Sequence, residues 1–323
     1  MKRLHRGVLL LVASALCAVG ASAQPYPNRP IKLIVADAAG GAPDQLGRLV
    51  AQKLSDSLGQ PVVVDNRAGA GGALGAEIAA KSAPDGYTLL LTTTAIYAIL
   101  PNLRKNLPYD PVKDFVPISR IATASNVLVV NNALPAKNIA ELVKLAREKP
   151  GALNYASAGV GTPAHLAGEM LNLLVDIKVV HVPYKGAAPA LTDVIAGNAQ
   201  YIITSPIAAG AHMSGGRVRA LATTGAERNP GLPELPTIAE TVPGYEITQT
   251  WGIVAPAGTP PEIASRLNAG IVKVMSESDV KERVLATGAT PVGDSQAAFE
   301  AYMAKERQRL GEVVARRGIV LTD

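Results

Sequence analysis

Cysteine is almost absent: the 323 residues hold one, Cys17, in an amino-terminal segment with the pattern of a removable signal. A chain matured past that segment has no internal disulfide, no thiolate nucleophile and no cysteine metal ligand, so packing alone must stabilise it. Aromatic residues are few, at 4%, which argues against stacking platforms for nucleic-acid bases and, less firmly, against sugar binding. An excess of one charge is missing too. Removing Lys2, Arg3 and Arg6 from the 31 Lys and Arg leaves 28 against 26 Asp and Glu, a balance of +2 that is no footprint for nucleic acid despite a pI near 9.2. There is no His-Glu-x-x-His and no acidic cluster to hold a metal. No glycine-lysine-serine or glycine-lysine-threonine loop occurs, and Gly69-Ala70-Gly71 lacks the third glycine of a dinucleotide site, so no cofactor is expected. Ser157 follows a strand and precedes a helix, but Tyr155 stands where a nucleophile elbow requires glycine, which disfavours a hydrolase.

Long apolar runs are confined to the first residues. Lys2, Arg3 and Arg6 form a positive region, Val8 to Val19 an apolar stretch, and Ala21-Ser22-Ala23 a small-residue cleavage pattern. Residues 1–23 are therefore read as a signal peptide, with Gln24 as the first mature residue and the periplasm as the destination. A membrane anchor would need roughly 20 apolar residues, more than this run supplies. Lipid attachment is not expected either, because Leu16 rather than a small residue precedes Cys17. No second long apolar segment follows, so no membrane insertion is expected after cleavage. About 300 residues remain, enough for two domains with filled cores.

From Gln24 onward, short β-branched runs alternate with runs of helical period, the pattern of βα units. Ile31 to Val35 reads as a buried strand, followed by a helix with Pro43 near its start and Gly59 as its stop. Val62 to Val64, a glycine-rich helix start at Gly69 to Gly75, and Tyr87 to Leu91 complete a first lobe. A long β-prone stretch from Phe115 to Val130 reads as a crossover between lobes, and Asn138 with Glu141 forms a capping-box pattern. The second lobe repeats the scheme: strands at 153–156, 179–183, 201–204 and 218–223, with helices from Thr162-Pro163 and through Leu191 to Ile195. Residues 229–244, rich in proline, read as a surface return path. A strand at 247–255, a helix opened by Thr259-Pro260, and helices from Asp279 and Gln296 close the chain. The expected fold is α/β with two lobes, each a mostly parallel sheet flanked by helices and joined by crossover strands. Residues 24–123 and 246–323 form the first lobe and residues 124–245 the second.

Three loops place glycines and small polar residues between a strand and a helix: residues 38–44, 67–72 and 157–162. Each should offer free backbone N–H groups at a helix start, where the helix dipole favours an anion, and at the carboxyl ends of strands, where α/β sheets bind ligands. Such loops also serve as tight turns alone, but three spread over two lobes point to an anion clamp. His165 lies one turn beyond the third loop and either faces the ligand or caps the helix. His181, between valines in a strand, reads as structural. Asp44 and Arg48, four apart on one helix, read as a pair. Lys185 either approaches an anion or is a solvated surface residue.

These residues resemble the Bug-type substrate-binding proteins of tripartite tricarboxylate transporters. The matching elements are Gly40-Gly41 with Asp44 and Arg48, Asp65-Asn66-Arg67 with Gly69 to Gly72, and Asp85-Gly86-Tyr87. They continue through Leu107 to Asp110, Tyr155 with Ser157, Gly159, Gly161, His165 and Leu166, and Pro183 to Gly186. Arg219 to Ala222, Pro236-Thr237 and Ala255 to Pro260 complete a match that spans nearly the whole mature chain in order. The resemblance implies a type II periplasmic-binding-protein fold that holds a carboxylate between the first and third loops, partly through water. It also implies membrane partners, one large and one small integral subunit. The ligand contacts expected on these grounds are Ala39, Gly40, Gly41, Ala42, Asp44, Thr93, Ser157, Gly159, Gly161, Thr162, His165, Lys185 and Thr204. Three positions depart from the family's usual pattern. Ala36-Asp37 replaces a Pro-Phe pair and brings a negative charge near the anion site, Thr204-Ser205 replaces an Asp-Asn pair, and Ala73 replaces asparagine. The changes lean against amino acids and towards an aromatic or aliphatic carboxylic acid. The expected function is a monomeric, non-enzymatic solute receptor for a small carboxylate, with a sensing subunit for a signalling partner or a secreted hydrolase as alternatives.

Overall fold

The structure, a computed structural model, describes residues 26–317, so the expected signal peptide and its cleavage site lie outside the described residues. Two sheets organise the chain. The first has the order β11-β4-β10-β3-β1-β2 and is built from β1 (Ile31–Val35), β2 (Val62–Asn66), β3 (Thr88–Thr93), β4 (Phe115–Ser125), β10 (Thr248–Pro256) and β11 (Thr290–Pro291). The second has the order β7-β6-β8-β5-β9, from β5 (Val127–Asn131), β6 (Asn154–Ser157), β7 (Val180–Pro183), β8 (Tyr201–Thr204) and β9 (Val218–Thr223). The two-lobed α/β architecture is the one expected. Both sheets are mixed, because β1 pairs in parallel with β2 and β3, and β6 with β7 and β8, whereas β10 and β5 run antiparallel to both their neighbours. These two strands belong to the segments that connect the sheets, so their direction is set by the crossover and not by a βα unit.

The passage between sheets is narrow. Asn126 alone separates β4 from β5, and its backbone N–H donates to Thr224 Oγ1 at 2.7 Å while its carbonyl accepts from Thr224 N–H at 2.9 Å. Thr224 also bonds the Ile247 backbone, so the outgoing and returning strands are tied at one level.

The helices follow from local signals where such signals exist. Helix α1 (Ala42–Leu58) has proline in its first turn and ends at Gly59, whose φ of 70° only glycine adopts freely and whose N–H closes on Ser55. A short turn at Ala70–Gly72 leads into α2 (Ala73–Ala80). A wide helical turn at Ala95–Ile99 runs into α3 (Leu100–Leu103); the turn is buried at every residue and α3 is only four residues long, so no hydrophobic period marks them in the sequence. Helix α4 (Ile139–Glu148) is capped by Asn138, which accepts from Glu141 N–H at 2.9 Å; the return bond from Glu141 reaches Lys137 N–H, one residue earlier than in a standard capping box. Helices α5 (Pro163–Leu174) and α6 (Ala187–Ala196) flank the second sheet. Helix α7 (Pro206–Ser214), unexpected from the sequence, is small-residue-rich with little amphipathic contrast, yet Ser205 caps it and Pro206 opens it. Helix α8 (Pro261–Ser276) starts two residues later than its Thr259 signal, because that hydroxyl turns back to Pro256 instead of capping. Helices α9 (Ser278–Leu285) and α10 (Gln296–Arg317) follow, and α8 and α10 pack on β4 of the first sheet. At that contact Phe299 lies fully buried against Gly252, where any side chain would collide with the ring.

Candidate functional site

A cavity of about 300 Å³ lies between the two sheets at the carboxyl ends of their strands. From the first sheet's side it is lined by Asp37, Ala42 and Pro43 after β1, by residues 68–72 after β2, by Thr93 and Ala95 at the end of β3, and by Arg104 and Gln249. From the second it is lined by residues 158–160 and 162–164 after β6, by residues 183–185 and Ala187 after β7, and by Thr204 and Ser205 after β8. The starts of α1, α5, α6 and α7 therefore border one space from both sides. Three of these helices carry proline at the first or second position, which fixes the backbone without spending an N–H that the helix itself could use. Convergent helix starts give an electropositive lining with few formal charges.

The loops touch across the cleft. A Cβ placed on Gly71 would sit 2.3 Å from the Val160 carbonyl oxygen, and one on Gly186 would sit 2.4 Å from Asp37 Oδ1. The lobes are closed over the cavity in this structure.

Of the expected contacts, Ala42, Thr93, Gly159, Thr162, Lys185 and Thr204 line the cavity. Ala39, Gly40, Gly41, Asp44, Ser157, Gly161 and His165 do not, and hydrogen bonding explains several of these placements. Asp44 is buried and turned inward, accepting from Gly40 N–H at 2.9 Å, from Asn66 Nδ2 at 3.0 Å and from Arg48. Burial alone would raise its pKa, but the bonds from Arg48, Gly40 and Asn66 outweigh burial and hold it below the ordinary carboxylate value. Asp44 thus braces the first loop and leaves ligand contact to the residues around it.

The third loop is braced in the same way. Ser157, fully buried, accepts from Gly159 N–H at 3.1 Å and bonds His181 Nε2 at 2.6 Å. His165 Nδ1 accepts from Gly161 N–H at 3.2 Å, which fixes the neutral tautomer with its proton on Nε2. The two imidazoles stack at 4.1 Å, and His181 stacks in turn on Tyr155 at 4.9 Å. Burial pushes His165 down to about 4; burial, with the neighbouring His165, pushes His181 down to about 3. Both rings are neutral near pH 7 and act as packing and as loop supports. Thr162 caps α5, accepting from His165 N–H at 3.3 Å while its own hydroxyl donates to Gly159 O at 2.7 Å.

The cavity wall also holds residues that the sequence reading did not select. Arg104 follows α3, and its Nε is buried without a hydrogen-bond partner. Gln249 comes from the crossover strand β10, and Ser205 caps α7. The 68–72 loop, whose glycines predict free N–H groups at a helix start, also lines the wall. Asp37 lies in the enclosed cleft, where burial raises its carboxyl to about 7 against the hydrogen bonds from Ala38 and Ala187.

Residues 46–319 match the model of the family described as the tripartite tricarboxylate transporter family receptor. The chain belongs to that receptor family. Its relatives include BugT of Bordetella pertussis, 38% identical over 323 residues and covered to 99% in both chains. Among solved structures, R. palustris Rpa4515 with adipate is 36% identical with a TM-score of 0.89, over 91% of this chain and 99% of that one. MatC from Rhodopseudomonas palustris with bound malate is 30% identical with a TM-score of 0.86, over 90% of this chain and 100% of that one. Receptor family membership accounts for why the loops of both lobes converge on one enclosed space.

Proposed function

We propose that this receptor captures a small carboxylic acid in the cleft, outside the cytoplasmic membrane, and presents the closed complex to the membrane subunits of a tripartite tricarboxylate-type transporter. The observation that carries this reading is the cavity bordered by helix starts from both lobes, with the loops in contact above it. One ligand anion facing N–H groups on both sides would stabilise closure over opening, since a ligand shifts an equilibrium only by its differential interaction with the two states. The adipate and malate in two relatives of the same fold support a carboxylate as that anion. Lobes dividing near residues 123–124 and 245–246, hinged at the Asn126 and Thr224 crossing, fit this motion. The mature chain would act as a monomer beside its membrane partners; among the described residues no helix is long and apolar enough to cross a membrane.

Binding without conversion is part of the proposal. Among the described residues Ser157 and His181 are the one hydrogen-bonded serine-histidine pair, and the serine hydroxyl is fully buried and occupied by Gly159 and His181. A thermal-shift screen over carboxylic acids, followed by mass spectrometry of the bound fraction, tests both statements. A ligand at 100 times its dissociation constant should stabilise the native state by about 2.7 kcal/mol, and the acid should be recovered unaltered after prolonged incubation. Recovery of a hydrolysed or otherwise altered product would establish an enzyme instead.

A further inference from the structure

Asp37 is the one acidic side chain on the cavity wall. Its Oδ1 accepts from Ala38 N–H at 2.7 Å, and the N–H of Ala187, the first residue of α6 in the opposite lobe, also bonds this carboxyl. The glycine at 186 is what permits this approach, since a side chain there would overlap Oδ1. The carboxyl is thereby held from both lobes. Among the described residues no other hydrogen bond reaches this carboxyl, and no cation lies within ion-pair distance of it. Lys185 and Arg104 line the same cavity but do not pair with it, and Asp44, behind the first loop, adds a second negative charge. A carboxylate with no cation to pair with, on the wall of a closed cavity meant for an anion, is costly unless the occupant satisfies it.

The occupant can do so with a hydrogen-bond donor. A ligand whose carboxylate faces the other helix starts and whose far end carries a hydroxyl or an amine would complete Asp37. One with a second carboxylate at that end would place like charges together. We propose that Asp37 is a specificity-determining residue that selects carboxylic acids bearing a hydrogen-bond donor at the second end and rejects dicarboxylates. This rests on the carboxylate-receptor reading above. It also separates this chain from its relative with adipate, a dicarboxylate.

The test is calorimetry at pH 8.5, where Asp37 is ionised, with the diacid, the ω-hydroxy acid, the ω-amino acid and the plain monoacid of four, six and eight carbons. For wild type, the best hydroxy or amino acid should bind at least tenfold more tightly than the diacid of the same length. Asp37→Asn, whose amide can donate to a carboxylate, should bring that ratio within threefold by strengthening the diacid. The wild-type ratio stands as a test even if the variant folds poorly, and Asp37→Ser gives a second neutral replacement. A wild type that binds the diacid as tightly as the hydroxy and amino acids overturns the proposal, as does a ratio that both variants leave unchanged. In those cases carboxylate binding itself survives. If no acid in the series binds wild type, the carboxylate-receptor reading falls and the role of Asp37 with it.

Discussion

Replacing Gly71 by alanine is expected to abolish tight binding while leaving the protein folded. The added Cβ would sit 2.3 Å from the Val160 carbonyl oxygen in the opposite lobe, nearly an ångström inside normal contact. Backbone lies on the far side of that contact, so no flexible side-chain end can swing away to relieve it, and the lobes must remain apart. The φ of 70° at Gly71 adds a left-handed cost of roughly 1 to 2 kcal/mol for any residue with a Cβ. That second cost is present in open and closed forms alike. It should therefore lower the melting temperature without ligand modestly, whereas the collision acts only on closure. Calorimetry should show an affinity loss of at least about 100-fold, equivalent to about 2.8 kcal/mol, and small-angle scattering should show no compaction on adding ligand. Normal affinity with normal compaction would mean that contact between residues 71 and 160 is not required for the bound state.

Thr162→Asp should also cost affinity heavily, through charge. Thr162 is the N-cap of α5 and part of the cavity wall, and aspartate is a competent N-cap that also favours the helix dipole. A carboxylate there would face the bound anion. At about 4 Å and an effective dielectric near 20, like charges repel by roughly 4 kcal/mol, which solvent and rotation reduce, so a tenfold to 100-fold loss is expected. The sequence alone suggests that stability would hold. The structure adds a cost, because the threonine hydroxyl donates to Gly159 O at 2.7 Å and a carboxylate cannot. Loss of that buried bond should destabilise by about 1 kcal/mol or more, visible in the melting temperature without ligand. Thr162→Ser keeps both hydrogen bonds and should bind nearly normally. Thr162→Asn keeps the cap without the charge, so an Asn variant as weak as the Asp variant would remove electrostatics as the cause.

Much of the fold was legible because its signals are local. Proline near residue 43 with Gly59 as the stop, and Thr162 before Pro163, mark helix ends through backbone rules that neighbours do not override. Helix α7 and the helical segment at 95–103 were illegible for a shared reason. One is made of small residues with little contrast between faces, the other is a fully buried turn at 95–99 followed by a helix of only four residues, and neither leaves a period to read. The site divides along the same line. Loops that turn a strand into a helix could be picked from their glycines, and they do border the cavity. Which side chains face inward could not be picked, because that depends on partners distant in sequence. Asn66 and Arg48 turn Asp44 away from the cleft, and His181 pins Ser157. Arg104 and Gln249 reach the cavity from elements far along the chain, and only the assembled fold brings them there.

The central claim is that the cleft recognises a carboxylate, and paired titrations test it most directly. Each acid in a panel of four to eight carbons is titrated calorimetrically against the mature protein beside its primary amide, which keeps shape and length but removes the charge. The account predicts at least one acid that binds saturably, with its amide weaker by about 100-fold or more, equivalent to about 2.8 kcal/mol. Amides that bind as tightly as their acids would contradict it, and so would a panel in which no acid binds at all.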